Sequence, residues 1–455
     1  MKKHVILLVG LLALAACGQR GYVDEGFCWE EAGENPFYGQ TLTITVLHDR
    51  NQGKLRSLAS LYMARNPGVT IEIEMLGTGR WDFYEVQILR ENMRVQIMAG
   101  QMPMLIDPAL VDVLSRDFFA DWMPLIEAHP RFNDEEWFMG AIYALADGGE
   151  LLSFGTYIGF TYVAANTHIP GLADAFAGLQ TVSAEDILRL YLDFDVQGLG
   201  KSATYWLMLW EPLLLAREFF DYGSGFVNFS DPEFVRLLEI TKDAFGQPLQ
   251  HVIDERNRGS DWQALSARYF AFETFSPFSL GWLELFYEDS SFVNAVPFAN
   301  NRGEVYVRNF SGSGWALSRG ATSTQQALAL DFIRFTQDTT DADVDRIHER
   351  TPSIILGPIP LARDKFMRHT NRYAQGIAFS ASRALRYSPA EMSDNIFKRT
   401  YGILNSPMSA MPFVPDIVRG FVGTTLWELM QGMASPSDAA MRMQNTVTLM
   451  LMEGN

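Results

Sequence analysis

Between residues 41 and 75 the chain switches residue period twice, and that switch limits its architecture more than any other feature. Thr41 to Leu47 (TLTITVL) is β-branched and alternating, which predicts a strand. Lys54 to Arg65 carries apolar residues at 55, 58, 61 and 62, a helical spacing that stops before Asn66-Pro67-Gly68. Val69 to Met75 (VTIEIEM) predicts a second strand. Such a unit sets its two strands parallel with a right-handed crossover, so the fold class is α/β in layers. Glu85 to Ala99 predicts another helix, closed by Gly100, and Met104 to Ile106 a short buried strand ending at Asp107-Pro108. Ligands of open α/β sheets sit beyond the carboxyl ends of strands. His48, Asp49, Arg50 and Asp107 therefore fall on candidate binding loops.

Past Gly148-Gly149 the composition changes. Leu151 to Val163 is long and β-rich, interrupted by Gly155 and Gly159. Helices are predicted for Ala184 to Phe194 behind a Ser183 cap, Tyr205 to Phe220, Pro232 to Phe245 behind Asp231, and Asp261 to Phe272. Ser291 to Pro297 and Glu304 to Phe310 are strand-like, Thr324 to Thr336 is an amphipathic helix, and Ser353 to Ile359 is extended. From Asp364 helices prevail, ending in Ser437 to Met452, whose methionines at helical spacing suit an ordinary core. No repeat of fixed period is present.

At 455 residues the chain is long enough for two or three domains, at roughly 100–200 residues each. Asp and Glu outnumber Lys and Arg 54 to 36, a net charge of −18 that repels phosphate backbones and excludes nucleic acid as a partner. Lys2 and Lys3 precede an apolar run from Val5 to Ala16. That run is shorter than the roughly 20 residues a membrane helix needs, and it fits a signal peptide. The ending Leu14-Ala15-Ala16-Cys17 resembles a bacterial lipobox, which predicts export and lipidation at Cys17. The other cysteine is Cys28, so lipidation at Cys17 leaves no disulfide framework. Residues 17–40 then read as a lipid-anchored tether. The anchor fits the surface of a one-membrane host and the periplasmic face of a two-membrane host equally well.

The order of these segments resembles the extracellular solute-binding proteins of bacterial ABC importers, in the family of maltose- and oligosaccharide-binding proteins. Leu55 to Glu72 (LRSLASLYMARNPGVTIE) is similar to that family's first helix, turn and second strand. Met98 to Ile106 matches its small-Gly-x-Pro-Asp strand, with Met104 in place of the usual Asp. Tyr157 to Ile169 (YIGFTYVAANTHI) resembles the segment running into Tyr-Asn-Lys, with Asn166 kept and Thr167 for the lysine. Asp231 to Leu238 (DPEFVRLL), Phe270 to Trp282, Gly314 to Phe335, Thr351 to Arg363 (TPSIILGPIPLAR) and Leu426 to Glu453 follow in the family's order. The resemblance implies a two-lobe periplasmic-binding-protein-like fold with a hinge of crossing strands and a cleft between lobes. It implies an N-terminal lobe of 41–157 and 296–360 and a C-terminal lobe of 158–295 and 361–455. It also implies a monomer that captures a small molecule, an oligosaccharide above all, and hands it to ABC permease subunits.

Sugars present hydroxyl rims and flat C–H faces, so a site for them needs aromatic platforms beside carboxylates, amides or Arg. Trp282 matches the family's ligand-stacking tryptophan. Trp206 and Trp210 are four residues apart, on one helical face. Trp81 follows Gly77-Thr78-Gly79 on a loop past a strand end. Trp315 sits in a predicted strand, where packing competes with ligand contact. Asp107, Asp49 and Arg50 supply polar partners, and Asn166 and Arg363 read as hinge or connector residues.

Other motifs fail on their own chemistry. Gly200-Lys201-Ser202 lacks the upstream Gly of a phosphate loop, Asp195 standing there. Asp341, Asp343 and Asp345 imitate a calcium loop, yet Arg346 and Pro352 occupy its sixth and twelfth positions. Seven scattered histidines offer no metal-ligand pair, and Ser311 to Gly314 lacks the first Gly of a nucleophile elbow. No cofactor, metal or catalytic constellation is expected. The competing readings are a binding protein for a peptide or other polar metabolite, a surface protein whose aromatic cleft binds another protein, and an exported glycoside hydrolase with two carboxylates across a cleft.

Overall fold

The computed structural model describes residues 27–29, 36–47, 52–77, 83–110, 117–146, 149–194, 219–221, 225–245, 272–275, 292–300, 302–309, 314–338, 340–350, 359–374, 398–410 and 416–454. The leader and Cys17 lie outside the described residues. Strand β1 (Thr41–Leu47) leads through helix α1 (Gln52–Arg65) to β2 (Thr70–Leu76), and the two strands pair in parallel from Thr41↔Thr70 to Leu47↔Leu76. Helix α2 (Phe83–Met98) follows, then β3 (Leu105–Ile106), which joins the other side of β1. Helices α3 (Met123–Ala128) and α4 (Met139–Leu145) precede β4 (Ser153–Gly155), β5 (Tyr157–Gly159) and β6 (Tyr162–Asn166). The predicted β-run from Leu151 to Val163 is thus cut at Thr156 and at Phe160-Thr161 into three strands, each in a different sheet.

Helices α5 (Leu172–Ala177) and α6 (Ala184–Asp193) come next. Ser183 caps α6 as predicted: its hydroxyl accepts from the Asp186 N–H at 3.1 Å, and the Asp186 carboxylate accepts from the Ser183 N–H at 2.9 Å. The predicted helix Tyr205 to Phe220 lies outside the described residues except at its end, where Phe220 pairs with Val227 instead. There β7 (Phe220–Asp221) and β8 (Phe226–Val227) form a hairpin, and cross-strand bonding takes precedence over helical spacing. Helix α7 (Pro232–Phe245) starts behind Asp231, whose carboxylate accepts from the Glu233 N–H at 2.9 Å. The predicted helix Asp261 to Phe272 is likewise outside the described residues, apart from Phe272, which opens β9 (Phe272–Phe275).

Strands β10 (Phe292–Pro297), β11 (Val305–Asn309) and β12 (Gly314–Leu317) return the chain to helices α8 (Ser323–Phe335) and α9 (Ala342–Arg350). Strand β13 (Ile359–Pro360), helix α10 (Arg363–Ala374), strand β14 (Met408–Ala410) and helices α11 (Asp416–Met430) and α12 (Pro436–Gly454) complete the order. Of the extended run predicted from Ser353, only Ile359 is described. Among the described residues no helix is long and apolar enough to cross a membrane.

The strands form a five-stranded sheet ordered β2-β1-β3-β12-β4, a three-stranded sheet β10-β6-β9, and a four-stranded sheet β13-β5-β11-β14 between them. In the first sheet, alternate β1 residues supply both faces. Leu42, Ile44 and Val46 join Leu58, Tyr62, Leu328 and Phe332 under α1 and α8, while Leu47 joins Val86, Met93 and Ile97 under α2. A buried side chain of this size contributes about 1.5–3 kcal/mol. Helices α7, α11 and α12 pack together, with α6 against α7 and the hairpin strand β8 against α12.

The middle sheet is where the chain changes lobes. It leaves the first sheet at Gly155, passes through β5 and enters the second sheet at Tyr162; it returns from β10 through β11 to β12. Ile158 is paired on both sides, with Asn309 of β11 and Ile359 of β13. The implied lobe boundary at 296 falls inside β10, which stays in the second sheet to Pro297. Lys365, on α10, ties this junction to the first lobe. Its buried ammonium donates to the Gln337 amide oxygen at 2.8 Å and the Thr336 carbonyl at 3.3 Å, just past the end of α8, and lies 5.1 Å from the centre of the Tyr157 ring.

A buried polar network braces the helix layer. The Tyr62 hydroxyl donates to the Asp331 carboxylate at 2.7 Å, and Arg334 donates twice to the same carboxylate. Beside it His129 is buried with its Nδ1 accepting from the Arg131 N–H at 3.1 Å. Burial, with Arg334 and Arg131 adding to it, pushes the His129 pKa down to about 4 from 6.5. Tyr62→Phe should lower the unfolding free energy by about 2 kcal/mol in urea titration, because a bond to a charged acceptor is lost. For His129 the unfolded chain takes its proton first. Stability should therefore begin to fall below pH 6.5 and this residue's share should be lost by about pH 4. Its size is on the order of 3 kcal/mol, read as the difference between wild type and His129→Gln across that window.

Candidate ligand cleft

Strands β1, β2, β3 and β4 end on one edge of the first sheet, at Leu47, Leu76, Ile106 and Gly155, and antiparallel β12 begins there at Gly314. After Thr156, β5 starts the crossing, so this carboxyl edge is the one turned toward the second sheet. The second sheet answers with the same kind of edge. Strand β6 enters at Tyr162, and its antiparallel neighbours β9 and β10 end beside it, at Phe275 and Pro297. Both sheets thus aim strand ends, and the loops that follow them, at the junction. That is the position at which an open α/β sheet binds ligands.

Two of the predicted site residues are in view. Asp107 directly follows β3 and is buried; its Oδ2 accepts from the Leu47 N–H at 3.4 Å, and its own N–H donates to the Thr45 carbonyl at 2.9 Å. The carboxylate therefore closes the end of β1 as well as standing at the cleft edge. Trp315 in β12 is half-buried, pairs with Phe154 and packs on the main core, and its carbonyl accepts from the Trp122 indole N–H at 2.9 Å. A side chain at Gly314 would meet the Ser153 Oγ at 2.8 Å and Pro108 at 3.3 Å, so glycine allows β12 to close against the residue after Asp107. Asp49, Arg50, Trp81, Trp206, Trp210 and Trp282 lie outside the described residues.

The connector residues hold the frame. Asn166 is buried, and its side-chain oxygen accepts from the His168 N–H at 2.8 Å to turn the chain after β6. Arg363 donates to the Trp137 carbonyl, the Tyr401 hydroxyl and the Asn405 side chain at 3.0–3.1 Å, and stacks 4.3 Å over the Phe138 ring. On the second-sheet side, Arg399 donates to the Ala295 carbonyl and stands 5.6 Å from the Tyr162 ring. The Tyr162 hydroxyl and the Thr400 hydroxyl are buried beside each other. Burial pushes the tyrosine up to about 12.

Sequence reasoning passed over Lys54, because a lysine among helix surface residues carries no signal by itself. It stands in the first turn of α1, just past the β1 loop, four and eight residues before the buried Leu58 and Tyr62. That spacing puts it on the core-facing side at the carboxyl edge. Among the described residues it has no ion-pair or hydrogen-bond partner, and burial pushes its pKa down to about 8 from 10.5. A cation so placed suits an acceptor-rich ligand.

A separate cavity of about 590 Å³ opens at the opposite edge of the first sheet, lined by Thr43, Met98, Met104, Phe118, Arg319 and Gln325 among others. Thr43 is four residues back from Leu47, about 13 Å along the strand. The cavity therefore stands away from the strand ends. No group of acidic, His or Cys side chains that could hold a metal is present among the described residues.

No protein-family model matches the chain, and no curated protein matches it in sequence. Solved structures match it in fold. The sugar-binding protein MalE from Xanthomonas citri is 14% identical with a TM-score of 0.58, covering 91% of this chain and 98% of that one. An extracellular solute-binding protein of family 1 from Alicyclobacillus acidocaldarius is 13% identical, TM-score 0.55, covering 91% and 99%. The cyclic α-maltosyl-1,6-maltose binding protein from Arthrobacter globiformis is 13% identical, TM-score 0.52, with the same coverage. Each is described as a binding protein rather than as an enzyme.

Lys54 yields a prediction that needs no ligand. The unfolded chain keeps this proton to higher pH than the folded one, so stability should rise between pH 8 and 10.5. Lys54→Met should remove that rise and stabilise the apo protein at pH 7, on the order of 3 kcal/mol, in chemical denaturation. An unchanged unfolding curve would show the ammonium to be well solvated. The joined sheets, the crossing strands and the matched structures together establish that the chain has the periplasmic-binding-protein fold.

Proposed function

We propose that the protein is the lipid-anchored solute-binding subunit of an ABC importer that captures a carbohydrate, most specifically an oligosaccharide. The observation that carries this reading is the convergence of strand ends from two sheets on one junction of crossing strands. Cargo held there touches both lobes only when they close, and that differential contact shifts the population toward the closed form. The closed form is then what a permease recognises. The names of the matched structures, which include sugar and maltosaccharide binders, support the carbohydrate class.

In this reading the lobes are 41–157 with 296–360, and 158–295 with 361–455. The first lobe supplies Asp49, Arg50, Trp81, Asp107 and Trp315, to which Lys54 is added on its position. The second lobe supplies Trp206, Trp210 and Trp282. Tryptophans stack on the C–H faces of the sugar while charged groups bond its hydroxyls. Lipidation at Cys17 keeps the protein at the outer face of the membrane, and the protein itself carries out no reaction.

The test is melting temperature and tryptophan fluorescence of the fragment from Gly18, against panels of oligosaccharides, peptides and polyols. A ligand at a hundred times its Kd adds about 2.7 kcal/mol to stability. A saturable response to one sugar class, weakened at least tenfold in Trp282→Ala, is the expected outcome. A response to peptides alone would reject the carbohydrate assignment, and turnover of chromogenic glycosides would reject the binding-protein reading.

A further inference from the structure

Part of the segment read from sequence as a tether, Phe27–Trp29, is seated on the first lobe. Phe27 and Trp29 are both partly buried against the main core. Their rings meet edge-on at 4.8 Å, Phe27 stacks on the buried Phe37 at 5.5 Å, and Trp29 lies 4.1 Å from the His129 ring. His129 in turn meets Phe132 edge-on at 5.2 Å, which stacks on Trp137 at 4.4 Å. The two strap aromatics thus end a continuous run of buried rings reaching into the lobe. Between them Cys28 faces solvent. A segment meant only as a spacer gains nothing from placing two large aromatics in such a seat, since composition alone makes a spacer extend.

We propose that Phe27–Trp29 is a docking strap whose partner is the Phe37–His129 face of the first lobe, and that it shortens the membrane tether. The membrane part of this inference rests on the lipid-anchor reading. With the strap seated, the free tether runs from Cys17 to Phe27, ten residue steps and at most about 35 Å of extended chain. With the strap released, it runs to the buried Phe37, twenty steps and about 70 Å. The seat lies beside Phe37, just before β1 begins, and so at the edge of the first sheet away from the strand ends. A seated strap therefore shortens the reach between that edge and the lipid surface.

The experiment uses the full lipidated chain on vesicles of phosphatidylethanolamine and phosphatidylglycerol. Cys28 is then the one thiol left for a nitroxide label. In wild type the label should show restricted motion, and Trp29→Ser should sharpen its spectrum several-fold while circular dichroism and melting temperature confirm a folded lobe. Neutron reflectometry on a supported bilayer of the same lipids should show the gap between protein and bilayer widening in Phe27→Ser/Trp29→Ser toward the longer reach. A freely tumbling label in wild type, or an identical gap in wild type and the double variant, would overturn the proposal. If the chain washes off the bilayer, the lipid-anchor reading and the spacing drawn from it fall together; the label's restriction in solution still decides whether the strap is seated. Should Trp29→Ser fail to fold, the milder Trp29→Leu, which keeps an apolar contact but loses the ring stack, is expected to give an intermediate spectrum.

Discussion

The doubly paired strand β5 is the constraint on which the rest of the molecule depends. Three residues long, it bonds to β11 on one side and β13 on the other, so those two crossing strands are both tied to it. A short strand with two partners has its backbone groups satisfied in place and needs no long hydrophobic face to hold it. That frees the sheets on either side to present their strand ends toward each other. It also concentrates bending in a few residues, the arrangement hinge motions use.

Lys365 shows how the junction is secured without being made rigid throughout. A buried ammonium is stable only when its donors are matched. Here the carbonyl end of α8, the Gln337 amide and the Tyr157 ring surround it. These partners come from the first lobe and from β5, while the lysine follows β13. One cation thus links two crossings to one lobe. Arg363 and Arg399 repeat the device through the Trp137 and Ala295 carbonyls, Tyr401, Asn405 and the Tyr162 ring. Polar groups that are directional and few hold the junction, while apolar packing holds the lobes.

Charge is distributed unevenly around this frame. The chain carries a net charge of −18, yet Lys54 stands at the candidate cleft without a counter-ion among the described residues. Elsewhere acids and bases are paired, as in Arg65 with Asp341 and Asp343, or Arg334 with Asp331. The three alternate acids that imitate a calcium loop open a helix instead: Asp341 accepts from the Asp343 and Val344 N–H groups at the head of α9. An unpaired cation at a cleft edge and a paired one on a helix surface look the same in sequence. What separates them is burial and the partner, and both are tertiary.

The residue pattern by itself determined the local elements and their class. The opening β-α-β unit, the Ser183 and Asp231 caps and the helix α8 all follow from periods and end signals within a few residues of chain, and all are present, although α8 is buried on every side of one turn, Ala327 to Leu330, rather than along one face. Tertiary structure decided how Leu151 to Val163 divides among three sheets, because Gly155 and Gly159 permit a break but only the partners of each half choose its sheet. It took Phe220 and Phe272 out of predicted helices and into strands, since pairing energy comes from residues far away in sequence. It also set Phe27 and Trp29 against Phe37 and His129. Hydrophobic period records which face of an element is buried; it does not record what that face meets, and the cleft, the hinge and the strap are all made of such meetings.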